Sequence, residues 1–125
     1  MKKIVSVKSA PAAIGPYSQA VWAGELLFCS GQLGIDPAVG SLSGDDIASQ
    51  TSQAVRNVSA LLESQGLSAE NVVKTTVFLT DMGNFKAVNE IYGQFFKSEP
   101  PARSCVAVAA LPLGALVEIE VTAHK

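Results

Sequence analysis

Arg103 is the most isolated charge in the chain. It follows Pro100-Pro101-Ala102, opens a strand-like run, and is the last charged residue before Glu118. A guanidinium with no neighbour of opposite sign can grip a carboxylate through two parallel N–H···O bonds. It can equally close a structural ion pair with Glu118, Glu120 or an acid of another subunit. Glu118 and Glu120 alternate with Val117, Ile119 and Val121. Alternation alone would make them solvent-facing, but a carboxylate near a guanidinium can also orient or deprotonate a water. Ser30-Gly31-Gln32 closes a strand. Gly31 permits close backbone approach, and its N–H can hold a carboxylate oxygen or serve an ordinary turn. Tyr17 lies in a proline-bounded loop, where an aromatic ring walls a pocket or anchors the loop.

Other chemistries lack their residues. The chain has one histidine, His124, beside the last residue. A ribonuclease mechanism built on two histidines is therefore excluded, and a metal site would have to be made almost wholly of carboxylates at spacings that do not occur. Cys29 and Cys105 sit in separate strand-like runs with no CxxC spacing, and read as small buried thiols. There is no glycine-rich phosphate loop and no Ser/His/Asp or Cys/His set.

These residues need elements to place them. Short strands are expected at 3–7, 19–23 and 26–30, the last two joined by a turn at Gly24-Glu25. A loop of small residues with two prolines, 9–18, lies between the first two, and a second loop covers 31–44. A helix over about 45–65 follows from the apolar spacing of Ile47, Ala54, Val55, Val58, Leu61 and Leu62. Asp45 and Asp46 favour its start and Gly66 its end. Residues 72–80 are rich in β-branched side chains and are expected to form a strand. A second helix over about 84–97 buries Phe85, Val88, Tyr92, Phe95 and Phe96 and stops before Pro100-Pro101. Strands at 103–109 and 116–123 finish the chain, with a turn at Leu111-Pro112-Leu113-Gly114. The order β-β-β-α-β-α-β-β implies an α+β fold: a six-stranded mixed sheet with two helices on one face.

The other sheet face is then uncovered. With the last two strands paired as a hairpin about Pro112-Leu113, Val106, Val108, Val117, Ile119 and Val121 share the helix face. Arg103, Cys105, Ala107, Ala109, Glu118 and Glu120 share the open one. Small apolar residues with a few fixed charges suit a subunit interface that also holds a site. On this register Arg103 and Glu118 stand roughly 13 Å apart along the backbone.

At 125 residues and 13.0 kDa the chain is expected to be a single domain, 1–125. It is 48% hydrophobic and 16% charged, which excludes disorder and hints at apolar surface shared between subunits. A net charge of −2 and the absence of a basic stripe argue against a nucleic-acid partner. No apolar run approaches the roughly 20 residues that span a bilayer, and no apolar stretch follows the basic N-terminus. The expected compartment is the cytosol.

Taken in order, Ala12-Ala13-Ile14-Gly15-Pro16-Tyr17-Ser18-Gln19-Ala20, Ser30-Gly31-Gln32, Val73-Lys74-Thr75-Thr76-Val77-Phe78-Leu79 and Pro101-Ala102-Arg103-Ser104-Cys105-Val106 resemble the RidA (YjgF) family. These are reactive-intermediate imine deaminases, also known as L-PSP endoribonucleases or translation inhibitors. Leu111-Pro112 and Val117-Glu118-Ile119-Glu120 fit as well. The resemblance implies a chorismate-mutase-like fold and a homotrimer with sites between subunits. It implies hydrolysis of 2-imino acids, 2-iminobutanoate and 2-iminopropanoate, to 2-oxo acids and ammonia, with no metal or cofactor, because a protonated imine is already electrophilic. By the same resemblance Arg103 grips the substrate carboxylate, Cys105 offers backbone contacts, Glu118 orients water, and Tyr17, Ser30, Gly31 and Asn89 line the pocket. Gly114-Ala115-Leu116 is less charged than in bacterial members, and Ala107 stands where an acid is common. Competing readings are a trimer that binds small 2-oxo acids without turnover, a translation-inhibiting endoribonuclease, and a holdase with an apolar surface.

Overall fold

The computed structural model describes all 125 residues. Strands β1 (Lys3–Val5), β2 (Ala20–Ala23) and β3 (Leu26–Cys29) form an antiparallel meander, with the left-handed Gly24 (φ 61°) in the turn from β2 to β3. Loop 31–44 is more ordered than its sequence suggests. It carries β4 (Gln32–Leu33), β5 (Ile35–Asp36) and β6 (Ser41–Leu42), the last two paired as a small separate ribbon.

Helix α1 (Ile47–Ser64) is capped by Asp46, whose carboxylate accepts the Ser49 N–H at 2.9 Å and is held below the usual aspartate range mainly by that bond. Gly66 ends it with φ 73°. Its buried stripe includes the expected Ala54, Val58, Leu61 and Leu62, but also Gln50, Thr51, Gln53 and Asn57. Two of the polar members tie the helix to neighbouring backbone. Asn57 Nδ2 donates to the carbonyls of Leu33 (3.0 Å) and Ile35 (2.8 Å), and Gln50 bridges the Gly44 carbonyl and the Leu116 N–H. Gly34 lets the backbones touch, since a Cβ there would lie 2.4 Å from the Gln50 carbonyl oxygen.

Strand β7 (Val72–Leu79) is followed by α2 (Phe85–Phe95), β8 (Ala102–Ala107) and β9 (Val117–His124). The main path of the sheet runs β1-β2-β3-β9-β7-β8, with β4 also paired to β9. Both helices cover one face, where Leu27, Val77, Leu79, Val117, Ile119 and Val121 pack against α1's Val58, Leu61 and Leu62 and α2's Val88 and Tyr92.

The expected hairpin between the last two strands does not form. β7 lies between them, antiparallel to β9 and parallel to β8. The chain from Val108 to Leu116 crosses the end of β7, where Val108 N–H bonds the Leu79 carbonyl and Thr80 N–H the Leu116 carbonyl. The face assignment changes with the register. Thr75 pairs with both Arg103 and Val121, and Val77 with both Cys105 and Ile119. Arg103, Cys105 and Ala107 therefore share the helix side with Val117, Ile119 and Val121. Glu118 and Glu120 lie on the opposite, open side, and Val106, expected in the core, is 43% exposed there. Counted through β7, Arg103 and Glu118 are two strand spacings and three residues apart, again roughly 14 Å by backbone, but on opposite faces of the sheet.

Candidate functional site

The residues singled out by sequence divide into two groups. The first surrounds Arg103. Strand β8 is an edge strand, so its outer N–H and C=O groups have no partner strand. From it, the half-buried Arg103 reaches the face of α2. Its Nη1 donates to Asn89 Oδ1 at 2.7 Å, and its guanidinium carbon lies 4.8 Å from the centre of the Tyr92 ring and 5.5 Å from that of Phe85. Phe85, Asn89 and Tyr92 recur at four and three residues, so one helix face presents all three. The Tyr92 hydroxyl is fixed in turn by Thr75 Oγ1 at 2.7 Å. Burial raises the Tyr92 pKa, while the Thr75 bond and the Arg103 charge oppose the rise.

No carboxylate pairs with Arg103, and no Lys or Arg side-chain nitrogen in the chain lies within 4 Å of a carboxylate; the His124 ring approaches Glu25 at 3.5 Å. The ion pair with Glu118 or Glu120 that the sequence allows is absent within the protomer. Asn89 occupies one guanidinium nitrogen with a neutral oxygen, and the rings hold the plane without neutralising it. Cys105 follows on the same side, with its thiol pKa raised by burial against the pull of Arg103. Cys29 is buried in the core and its thiol is pushed up to about 12. Both cysteines are free.

The second group lines a cleft of about 380 Å³ on the other side of the sheet, with Tyr17, Ser30, Gly31, Gln32, Glu118 and Glu120 among its walls. A β-bulge shapes it. Residues 26–28 pair with 124–122 and residues 32–33 with 119–118, leaving one extra residue between Phe28 and Gln32. The bulge is pinned by Ser30, whose Oγ donates to the Ser18 carbonyl at 2.7 Å and whose N–H donates to the Gln19 carbonyl at 2.9 Å. The Gly31 N–H makes no bond within the chain. Glu118 packs over Gly31 so closely that a Cβ there would lie 2.7 Å from its carboxyl carbon. Burial, and then the charge of Glu120, hold the Glu118 carboxyl above the ordinary glutamate range. Lys74, the cation of the same sheet face, donates to Ser104 Oγ at 3.2 Å.

The structure thus joins Arg103, Asn89 and Cys105, and separately joins Tyr17, Ser30, Gly31 and Glu118. Phe85 and Tyr92 read as core from sequence, because an aromatic helix face has the same spacing whether it covers leucines or a guanidinium. The chain brings no three His, Cys, Asp or Glu side chains into one metal-ligand set, and no helix is long and apolar enough to cross a membrane.

The chain is similar to known proteins over nearly its whole length. A family model described as Endoribonuclease L-PSP matches residues 7–125. A human protein named 2-iminobutanoate/2-iminopropanoate deaminase is 47% identical over 123 residues, covering 98% of this chain and 90% of its own. The crystal structure of RidA from the Antarctic bacterium Psychrobacter sp. superposes with a TM-score of 0.95 at 41% identity, over 98% of this chain and 99% of that one. E. coli TdcF, solved with bound serine, superposes with a TM-score of 0.94 at 41% identity, over 98% of each chain.

Proposed function

The chain belongs to the Rid/YjgF (L-PSP endoribonuclease) family, and from that premise we propose that it is a 2-iminobutanoate/2-iminopropanoate deaminase whose sites form between the subunits of a homotrimer. One observation carries the reading: Arg103 is a guanidinium fixed by Asn89 and two rings, with no counter-ion of its own. Such a group is prepared for a ligand carboxylate. The serine held by TdcF supports a ligand of that size, a small carboxylate with nitrogen on the adjacent carbon.

Glu118 lies on the other sheet face, so Arg103 and Glu118 of one protomer do not meet over one small molecule. A second copy resolves this: the open face of one protomer brings its Glu118 cleft to the Arg103 edge of the next. The cleft also offers the free Gly31 N–H and the ring of Tyr17.

The chemistry asks for little beyond placement. A protonated imine is already electrophilic at C2. Arg103, with the Gly31 N–H and backbone of the Cys105 strand, holds the carboxylate. Glu118 takes a proton from water as its oxygen bonds to C2, giving a carbinolamine. It then returns that proton to the nitrogen. The C–N bond then breaks with its electron pair leaving on ammonia, while Glu118 takes the C2 hydroxyl proton and passes it to that ammonia, giving the 2-oxo acid and ammonium. A glutamate held above its ordinary range is better matched to this exchange near neutral pH than an exposed one. The imine would come from pyridoxal-phosphate dehydratases in the cytosol.

The test is hydrolysis of 2-iminobutanoate made in situ by threonine dehydratase, with semicarbazide competing for it. Wild type should speed 2-oxobutanoate release. Arg103→Ala, folded and in the same assembly, should lose about 2–5 kcal/mol of transition-state binding, at least about thirtyfold in kcat/KM. A wild-type protein that binds 2-oxobutanoate without accelerating hydrolysis would instead be a carboxylate binder.

A further inference from the structure

Residues 8–16 are hydrogen-bonded to the body of the protein through one side chain, Gln19. Its Oε1 accepts the Val7 N–H at 2.7 Å, and its Nε2 donates to the carbonyls of Pro11 (2.8 Å), Val7 (3.0 Å) and Ala10 (3.3 Å). The remaining bonds of the stretch stay inside the loop: Ile14 N–H to Tyr17 Oη at 3.3 Å, and Tyr17 N–H to the Gly15 carbonyl at 2.9 Å. Ala10 is buried in the core, but every residue from Ala12 to Tyr17 is exposed. The same loop supplies Pro11, Ile14 and Tyr17 to the cleft that contains Glu118.

The Gln19 carboxamide has one orientation. Turned over, it would set its oxygen against three carbonyl oxygens. Gln19 is itself among the residues that line this cleft, but it is 5% exposed and its Nε2 is engaged by the carbonyls of Val7, Ala10 and Pro11, so it has no N–H to offer a ligand. Its position in the chain strengthens the link: Gln19 follows Tyr17 by two residues, and its own carbonyl receives the Ser30 N–H at the bulge beside Gly31.

We propose that Gln19 is a positioning residue for the cleft: it pins the 8–18 loop so that Tyr17 stands at the Glu118–Gly31 wall, and it acts on substrate only through that loop. The kinetic part of this inference rests on the deaminase reading; the structural part does not.

The test is Gln19→Met, which keeps the side-chain length and removes the amide. KM for 2-iminobutanoate and Kd for 2-oxobutanoate should each rise about tenfold with kcat within about twofold, the pattern of lost ground-state binding. In a Tyr17→Ala background the same change should add nothing, because the two residues act as one unit. Amide hydrogen exchange should quicken at Val7 and Tyr17 and stay unchanged along α1. Unaltered KM and Kd, or a full extra loss in the Tyr17→Ala background, would overturn the proposal. Should Gln19→Met fail to fold, wild type decides: the Val7 amide and the Gln19 carboxamide protons should be protected, and exchange at the unprotected rate would refute the clamp. A wild type that binds 2-oxobutanoate but hydrolyses no imine would end the deaminase reading, while Kd and exchange still judge Gln19.

Discussion

Two single-residue features set the chemistry of the cleft. At Gly31 the missing Cβ leaves the space that Glu118 occupies, with the nearest Glu118 atoms at 2.7 and 2.8 Å from where a methyl would stand. Gly31→Ala should therefore displace the carboxylate while leaving the fold intact, since the obstructing atoms belong to a flexible side chain. The expected result is a fall of about a hundredfold in kcat, the order of loss from a misplacement near 1 Å, with little change in melting temperature; steady-state kinetics beside a thermal melt would show it. At Glu118 the raised pKa has two causes, burial first and the like charge of Glu120 second. As the base we propose, Glu118 must be ionised, so kcat/KM should fall as pH drops through that raised value. Glu120→Gln removes the like charge, lowers the Glu118 pKa and moves the acid limb to lower pH. A pH profile whose acid limb stays put or moves upward would contradict this assignment. Much of this scale is legible in the sequence: an arginine alone in an uncharged run, and a glutamate pair in strict alternation. The aromatic clamp on Arg103 is not, because Phe85 and Tyr92 have the spacing of an ordinary buried stripe.

Among the elements, α1 is stabilised by more than its apolar stripe. Gln50 and Asn57 are almost fully buried and bonded to backbone groups, Gln50 to Gly44 and Leu116 and Asn57 to Leu33 and Ile35. Thr51 is the exception, a fully buried hydroxyl with no partner. An unsatisfied buried polar group costs about 1–3 kcal/mol. Thr51→Val, nearly the same shape and similar in helix propensity, should raise the melting temperature by a few degrees, read by calorimetry. A lower melting temperature would mean that the hydroxyl is satisfied in solution. The long elements can be read from periodicity because each repeats its pattern over several turns or pleats. β4, β5 and β6 cannot, since two residues carry no period. The pairing of the last two strands misleads for another reason. The sequence β7-α2-β8 is a β-α-β unit, and such units make parallel neighbours. Nine residues then connect β8 to β9, far more than a tight hairpin uses. Pairing the last two strands by proximity alone passes over both signals, and the face of Arg103 is inverted with the register.

The corrected register carries its largest consequence at the scale of the whole molecule. With Arg103 and Glu118 on one face, a single chain could have held the entire site. On opposite faces, in the trimer we propose, each protomer contributes half of two different sites, and assembly is part of the proposed mechanism rather than a matter of stability. The open face is suited to burial: Phe28 and Val106 are large, apolar and about half exposed, around the small and polar residues of β7, β8 and β9. The most direct test of this claim is complementation between two inactive variants. Arg103→Ala and Glu118→Gln would be purified separately, shown to form the same oligomer as wild type, and mixed in equal amounts under conditions where subunit exchange is verified. In a cyclic trimer every mixed ring places one intact Arg103 next to one intact Glu118, so random exchange should restore about a quarter of wild-type imine hydrolysis. Activity that stays at the level of the separate variants after complete exchange would show that both residues serve the same protomer's site, or that one of them serves none.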